Sequence, residues 1–238
     1  MTLLHARRSS LKLFLSLCLA MLALMAGPAA QAAGKYGADV RGAQDHPLIK
    51  RFTGSWLTGY RSSDWEEISL PTGLRVKDSK MLDKVTLEGK VTRLVYLAPQ
   101  GKSRLEVYRN YEQALTAAGL ERRFTCESNC ADLYFAWTRE LDIVNGFKWA
   151  EGSIPQAGST STYSTYSALA PEDGRFLYGS LSRGGSLVHV LLYNSVAANA
   201  STDITATTLI IVEPKAMPTG QVSVDAKAMQ SGLEADGK

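Results

Sequence analysis

The chain has 238 residues, of which 45% are hydrophobic and 21% are charged, a composition typical of a globular protein. Its 26 basic and 23 acidic residues give a formal net charge of +3, and three of the basic residues lie in the first 32 positions, which hold no acidic residue. The net charge of the remainder, +3 less these three, is therefore zero. No later stretch concentrates Lys and Arg as a nucleic-acid-binding face requires, which excludes that class of partner.

Residues 1–32 have the features of a secretory signal peptide. A basic start precedes an almost unbroken apolar run over residues 13–26, and residues 30–32 are Ala-Gln-Ala, a cleavage pattern. The apolar run is shorter than the roughly 20 residues that cross a bilayer, which favours cleavage over a membrane anchor. The sequence therefore predicts an exported chain with no transmembrane segment after signal cleavage.

The predicted mature chain opens with a polar, glycine-rich entry segment, residues 33–50. It contains Asp45 directly before His46, which could be drawn as an acid/base pair. Neighbouring side chains in an extended chain point in opposite directions, so such a pair is disfavoured. We predict instead that His46 is a surface histidine.

Strands are predicted next, on both sides of an acidic cluster. Asp64, Glu66 and Glu67 form this cluster, and we assign it to a solvated turn. The predicted elements are an aromatic strand at 51–61, a strand or turn at 62–70, a charged loop at 72–84 and a strand at 84–90.

The clearest local structure follows: a strand at 91–97, a turn and a capped helix. Ser103 stands three residues before Glu106, the spacing of a capping box, and Gly119 lies where a left-handed C-terminal cap is expected. Residues 121–125 are predicted to form a return strand. Apolar residues recur at helical steps and predict one buried stripe: Leu105, Tyr108, Tyr111 or Glu112, Leu115, and Ala118 or Leu120.

The chain contains three cysteines, and Cys18 belongs to the predicted signal peptide. The remaining two, Cys126 and Cys130, make an even count in an exported chain, which predicts a disulfide across a small loop. A metal site or a redox switch is disfavoured, because C-x3-C is not the usual zinc or thioredoxin-like spacing and His46 and His189 lie far away in sequence. No metal or cofactor is predicted.

Two stretches beyond the cysteines carry weaker signals. Apolar residues alternate from Leu133 to Trp137, which is typical of a strand. Residues 152–167 are rich in Ser, Thr and Gly. They form either a flexible binding loop that uses Tyr163 and Tyr166 or, as we favour, an exposed connection that passes into a strand near residues 163–169.

The last elements form a hairpin and one more strand. Residues 175–181 and 187–193 are β-rich and flank a Gly-Gly turn, which is hairpin chemistry. Residues 203–213 are rich in β-branched residues. We place 187–193 and 203–213 near the sheet centre, and we interpret His189 as a structural or rim residue.

These elements predict one α+β domain over residues 33–215. It contains an antiparallel β-sheet with one main amphipathic helix, at about 103–118, packed on one face. Residues 216–238 change character after Met217, Pro218 and Gly220, and they predict a linker-like or short helical tail.

Three stretches resemble a known family: 44–60 (QDHPLIKRFTGSWLTGY), 87–120 (LEGKVTRLVYLAPQGKSRLEVYRNYEQALTAAGL) and 210–217 (IIVEPKAM). They are similar to the N-terminal region of Gram-negative envelope proteins with an OmpA-like C-terminal domain, and to a periplasmic domain family of unknown function. The resemblance covers most of residues 39–230. In such relatives a segment like 222–238 leads into a peptidoglycan-binding module that has no counterpart in this chain, which implies a truncated member or one with the first domain only.

Export and the resemblance together imply a non-enzymatic envelope protein, periplasmic or associated with the outer membrane. Its partner would be an envelope protein or a cell-wall component. An exported hydrolase with an unrecognised site is the alternative, but it needs a nucleophile with a base or paired carboxylates, and no such motif occurs in the mature sequence. We predict no catalytic residue, and we place any function on the loops around 62–80 and 152–167.

Overall fold

The computed structural model describes residues 37–141 and 146–223. The predicted signal peptide and most of the predicted C-terminal tail, including its helix, lie outside these residues. Among the described residues, no helix combines the length and the hydropathy that crossing a bilayer requires.

Seven strands of the described chain form one sheet in the order β5-β9-β10-β11-β4-β1-β6, and every neighbouring pair is antiparallel. Two small hairpins, β2-β3 and β7-β8, lie outside it. In chain order the elements are β1 (Trp56–Pro71), β2 (Val76–Lys77), β3 (Lys80–Met81), β4 (Lys84–Leu97), α1 (Arg104–Ala117), β5 (Glu121–Cys126), α2 (Ala131–Leu141), β6 (Lys148–Trp149), β7 (Ser153–Pro155), β8 (Thr162–Ser164), a 3₁₀ turn (Thr165–Ser167), β9 (Arg175–Arg183), β10 (Ser186–Val196) and β11 (Thr205–Pro214).

The chain is a strand-dominated α+β protein, which confirms the predicted class. The hairpin of β9 and β10 and the central position of β10 and β11 are also confirmed. Gly184 and Gly185 turn this hairpin with φ values of +56° and +80°, which only glycine adopts readily at both positions of a two-residue turn.

The N-terminal half of the predicted cap on α1 is present. The Ser103 hydroxyl accepts the Glu106 N–H at 3.0 Å. The Glu106 carboxylate, however, accepts from Lys102 Nζ at 2.9 Å, so the reciprocal bond of a full capping box is replaced by an i,i+4 ion pair.

The C-terminus of α1 is a Schellman motif. Gly119 has a φ of +88°, and the Leu120 N–H reaches back to the Leu115 carbonyl at 3.0 Å. The predicted stripe is shifted at its start, because Leu105 is 48% exposed. The buried residues of the helix are Val107, Tyr108, Tyr111, Glu112 and Leu115.

The two helices cover opposite faces of the sheet. Helix α1 packs on β10 and β11, and its Leu115 shares a cavity with Leu181 of β9. In α2, Trp137 packs edge-on against Phe176 of β9 at 5.2 Å between ring centroids. Because successive residues of a strand point to opposite faces, Leu181 and Phe176 lie on different sides. We call these sides the α1 face and the α2 face.

The second helix corrects the strand predicted from Leu133 to Trp137. Phe135, which completed the alternation, is 51% exposed. Leu133, Trp137 and Leu141 are buried at four-residue steps, so the helical period sets the structure. The sheet therefore carries a helix on each face rather than one main helix on one face.

The region from residue 51 to residue 84 also differs from expectation. A single 16-residue strand, β1, replaces the two elements predicted at 51–61 and 62–70, and its register shifts between Ser63 and Glu66. Such an irregularity lets a long strand bend while it stays paired. The loop predicted at 72–84 contains the β2-β3 hairpin, which contacts α2.

Candidate functional site

An ionic network fastens the entry segment to the α1 face. Arg51 Nε donates to both carboxylate oxygens of Asp45 at 2.9 and 3.0 Å, and its Nη1 donates to Asp39 at 2.9 Å. The Tyr96 hydroxyl of β4 donates to Asp45 at 2.9 Å, and Asp39 accepts the Leu57 N–H at 3.0 Å. These charge-assisted bonds hold residues 39–51 in one position against the sheet.

The protonation states of this network follow from its geometry. Burial alone would lower the pKa of Arg51, but its hydrogen bonds to Asp45 and Asp39 outweigh burial and raise that pKa. Burial, with the nearby Asp45 carboxylate, raises the pKa of the Tyr96 hydroxyl far above its ordinary value. The guanidinium is therefore charged and the phenol neutral at any physiological pH.

His46 is 9% exposed, so its prediction as a surface histidine is wrong. Its Nδ1 accepts the Leu48 N–H at 3.2 Å, which places the proton of the neutral ring on Nε2, 3.3 Å from the Glu213 carboxylate at the end of β11. Burial lowers the pKa of His46, although Glu213 opposes this. Asp45 is engaged by Arg51 and Tyr96, so the two neighbours form no acid/base pair.

Two adjoining cavities run between residues 48–53 and α1, and together we call them the groove. The outer cavity has a volume of about 320 Å³ and the inner cavity about 140 Å³. Lys50 and Ala114 line both. The outer cavity is also lined by Arg51, Phe52, Thr53, Glu106, Asn110 and Tyr111, and the inner one by Leu48, Ile49, Leu115, Ala118 and Leu181.

One row of α1 forms the helical wall of the groove. Glu106, Asn110, Ala114 and Ala118 follow at four-residue steps and therefore share one side of the helix. At about 1.5 Å per residue the row extends about 18 Å. It changes from polar to small and apolar along its length, so the groove is polar at one end and apolar at the other.

The opposite wall is fixed to the helix by a direct contact. The Tyr111 hydroxyl of α1 accepts the Phe52 N–H at 3.0 Å, and burial raises the pKa of this phenol. With Arg51 anchored beside it, residues 50–53 cannot collapse onto α1 without breaking charged hydrogen bonds. The groove is therefore preformed.

His189 is buried on the α2 face. Its Nδ1 lies 2.8 Å from the Tyr178 hydroxyl, and the two rings stack. Burial lowers its pKa, and Arg123 lowers it further. Arg123 itself donates to Ser180 at 2.9 Å. This arrangement agrees with a structural histidine.

The acidic cluster of β1 is not a solvated turn. Glu66 forms an ion pair with the buried Arg93 and another with Arg61 at 3.3 Å, whereas Asp64 and Glu67 are exposed strand residues. Glu66 thus neutralises two arginine side chains of the sheet. The three acidic side chains of the cluster do not form a common site.

Residues 152–167 form the β7-β8 hairpin and the 3₁₀ turn. The Tyr163 hydroxyl lies 2.8 Å from Ser201 Oγ and accepts from Asn199 Nδ2 at 2.7 Å, while Tyr166 is exposed. Tyr163 is therefore engaged within the domain. The strand predicted near 163–169 is limited to Thr162–Ser164.

Cys126 and Cys130 form the predicted disulfide, with their Cα atoms 6.1 Å apart. It joins the end of β5 to the residue before α2. Among the described residues, no group of three or more His, Cys, Asp or Glu side chains is arranged to hold a metal ion.

No model of a known protein family matches the chain, and a search of curated proteins finds no match. Sequence reasoning placed function on the loops around 62–80 and 152–167 and missed the groove. The sequence signal for the groove was the row of Asn110, Ala114 and Ala118, whose short side chains lie beside the apolar stripe of α1.

Proposed function

We propose that the chain is a non-enzymatic, exported domain of the cell envelope, periplasmic or associated with the outer membrane, and that it binds another envelope component in the groove. The observation that carries the proposal is the preformed groove itself. Preformed concave sites with apolar walls and a few polar groups are the usual form of binding sites.

The groove fulfils this description through specific residues. Its apolar end contains buried side chains of β9, α1 and the entry segment, and its polar end offers a hydroxyl, an amide and charged groups. The Arg51 network holds the entry-segment wall in place before any ligand arrives, which reduces the ordering cost of binding.

Three further features support an envelope location. Residues 1–32 match a signal-peptide pattern. The Cys126–Cys130 disulfide fits an oxidising compartment, because thiols of cytosolic proteins are kept reduced. The resemblance to the N-terminal region of OmpA-family envelope proteins favours the same location, and residues 44–60 of that resemblance contain the entry-segment wall.

The test is photo-crosslinking in cells. The full chain is expressed in a Gram-negative host, and Asn110 in the groove is replaced by a benzophenone amino acid. Thr116 is replaced in the same way as a control, because it lies on α1 but is exposed and does not line the groove. The expected result is an ultraviolet-dependent adduct with an envelope component from position 110 and none from position 116.

Export is measured on the same cells. We expect the chain in the periplasmic or outer-membrane fraction, with a mature N-terminus near residue 33. Equal adducts from both positions, or none from either, would contradict binding in the groove. Retention of the uncleaved chain in the cytoplasm would contradict the envelope assignment.

A further inference from the structure

We infer that the groove binds a peptide segment of a partner protein in which an apolar side chain stands next to a carboxylate. This inference rests on the proposed function and names the chemistry of its ligand. The apolar side chain enters the inner cavity, and the carboxylate pairs with Lys50, which lines both cavities.

The inner cavity sets the size of the apolar group. Ile49, Leu115 and Leu181 are buried there, and Leu48 and Ala118 complete the lining. Its volume of about 140 Å³ is close to the roughly 150 Å³ of an apolar cavity that accepts benzene. One leucine, isoleucine or phenylalanine side chain therefore fills it.

Two cationic side chains line the groove, Lys50 and Arg51. Arg51 is neutralised by Asp39 and Asp45, and Glu106 is paired with Lys102. Within the part of the chain that the structure describes, Lys50 has no ion-pair partner. A carboxylate on the ligand therefore pairs with Lys50 without displacing an existing ion pair of the groove.

The outer cavity favours a peptide over a long amphiphile. Thr53 offers a hydroxyl and Asn110 an amide oxygen, which pair with amide groups rather than with an acyl chain; the Asn110 Nδ2 itself donates to the Glu106 carbonyl at 2.8 Å. The inner cavity is also too small for a long acyl chain. Because Lys50 borders both cavities, we place the carboxylate on a residue adjacent to the apolar one, about 3.8 Å away between Cα atoms.

The probe is the peptide acetyl-Gly-Asp-Leu-Asp-Gly-amide, which carries a carboxylate on each side of the leucine and so presents one to Lys50 in either chain direction. Its binding to the full mature chain is measured by calorimetry beside an Asn-Leu-Asn peptide, an Asp-Ala-Asp peptide and dodecanoate. We expect the first peptide to bind about five-fold more tightly than the Asn-Leu-Asn peptide, the upper range for an exposed ion pair, and at least about five-fold more tightly than the Asp-Ala-Asp peptide. Equal binding of the Asn-Leu-Asn peptide, or tighter binding of dodecanoate, would overturn the inference.

Variants of the protein locate the binding. Ala114→Leu fills the groove and is expected to abolish binding, whereas Ala117→Leu, the same change at an exposed neighbour outside the groove, leaves it unchanged. Lys50→Gln is expected to weaken binding of the Asp-Leu-Asp peptide about five-fold, the upper range for an exposed ion pair. Circular dichroism verifies that each variant is folded, and unchanged affinity of a folded Ala114→Leu variant would overturn the inference.

The two proposals fail in different ways. If position 110 yields an envelope adduct but no peptide of the panel binds, the ligand assignment is wrong and the proposed function stands. If neither occurs, both are wrong.

Discussion

The α1 face and the α2 face of the sheet are covered by different kinds of interaction. On the α1 face the entry segment is held by charges, with Arg51 bonded to Asp39 and Asp45. On the α2 face, Trp137 packs against Phe176 and Tyr193 at 5.2 and 5.1 Å between ring centroids. Charged hydrogen bonds are directional and few, whereas aromatic packing fills space.

This difference explains where the groove lies. The entry segment is fixed by a few charged hydrogen bonds. It can therefore leave a cavity beside it, because closing the cavity would break those bonds. The interlocking rings fill the space around Trp137, since interiors pack at near-crystalline density. A cavity of about 370 Å³ lies instead at the start of α2, beside Cys130 and residues 171–174. The α1 face thus combines a fixed wall with open volume along the helix, whereas the aromatic cluster of the α2 face is closely packed.

The largest expected effect comes from breaking the α2 face. Trp137 is 0% exposed, and Trp137→Ala is expected to lower the free energy of unfolding by about 3–5 kcal/mol through the lost apolar burial and the cavity left behind. Phe135→Ala on the same helix is the control, because Phe135 is largely exposed. Urea unfolding measures both. Similar losses for the two variants would show that the aromatic cluster does not hold α2.

The next effect comes from breaking the α1 face. Arg51→Met leaves the carboxylate of Asp39, whose side chain is 7% exposed, without its ion-pair partner. The expected loss is about 2–3 kcal/mol, the cost of hydrogen bonds to a buried charge.

Two further variants test this interpretation. Arg51→Met with Asp39→Asn is expected to recover part of the loss, because the unpaired charge is then absent. Arg75→Met removes an exposed ion pair with Asp83 and is expected to change stability little. If Arg75→Met costs as much as Arg51→Met, the entry segment is not held by its charges.

Features with local causes were predictable from the sequence. The Ser103 cap, the Gly119 stop and the Gly-Gly hairpin each depend on residues within a few positions of one another. The disulfide belongs to the same group, because Cys126 and Cys130 are four positions apart. Local chemistry sufficed for these elements.

Features with distant causes were not predictable. His46 is buried because it meets Glu213, which is 167 positions away. The alternation of apolar residues from Leu133 to Trp137 favoured a strand. Which of these residues is buried depends on packing against Phe176 and Tyr193, which lie far away in the sequence. The groove lies between α1 and a segment about 60 positions earlier, so no single stretch of sequence defines it.

The disulfide tests how much of the α2 face depends on its covalent link. Replacing Cys126 and Cys130 by Ser opens a loop with a sequence separation of 4. Chain entropy for so small a loop predicts a loss of about 2 kcal/mol. Near-ultraviolet circular dichroism of the aromatic cluster is expected to stay unchanged, since the packing around Trp137 does not involve the link. Loss of that signal would show that α2 is held by the disulfide rather than by its rings.

The smallest expected effect compares one histidine on each face. Burial lowers the pKa of both His46 and His189. In the unfolded chain a histidine has a pKa of about 6.5. Below this pH the unfolded chain binds protons that the folded chain does not. The stability contributed by each histidine is therefore fully present above about pH 6.5 and is lost as the pH falls towards the pKa of the folded state. Each group contributes at most about 1.4 kcal/mol per pH unit.

The charged neighbours of the two rings differ. Burial lowers the pKa of His46, and Lys90 and Arg183 add to the lowering, but Glu213 opposes it. At His189, Arg123 adds to the lowering of the pKa by burial, and no carboxylate of the described chain opposes it. His189→Gln is therefore expected to flatten the decline in stability between pH 7.5 and pH 5 more than His46→Gln does. Urea midpoints of both variants and the parent chain across this range measure the difference. A larger flattening of the decline in stability by His46→Gln would show that Glu213 does not stabilise the charged His46 ring. The loss of the hydrogen bond from the Leu48 N–H, which a protonated Nδ1 cannot accept, would then loosen the entry segment.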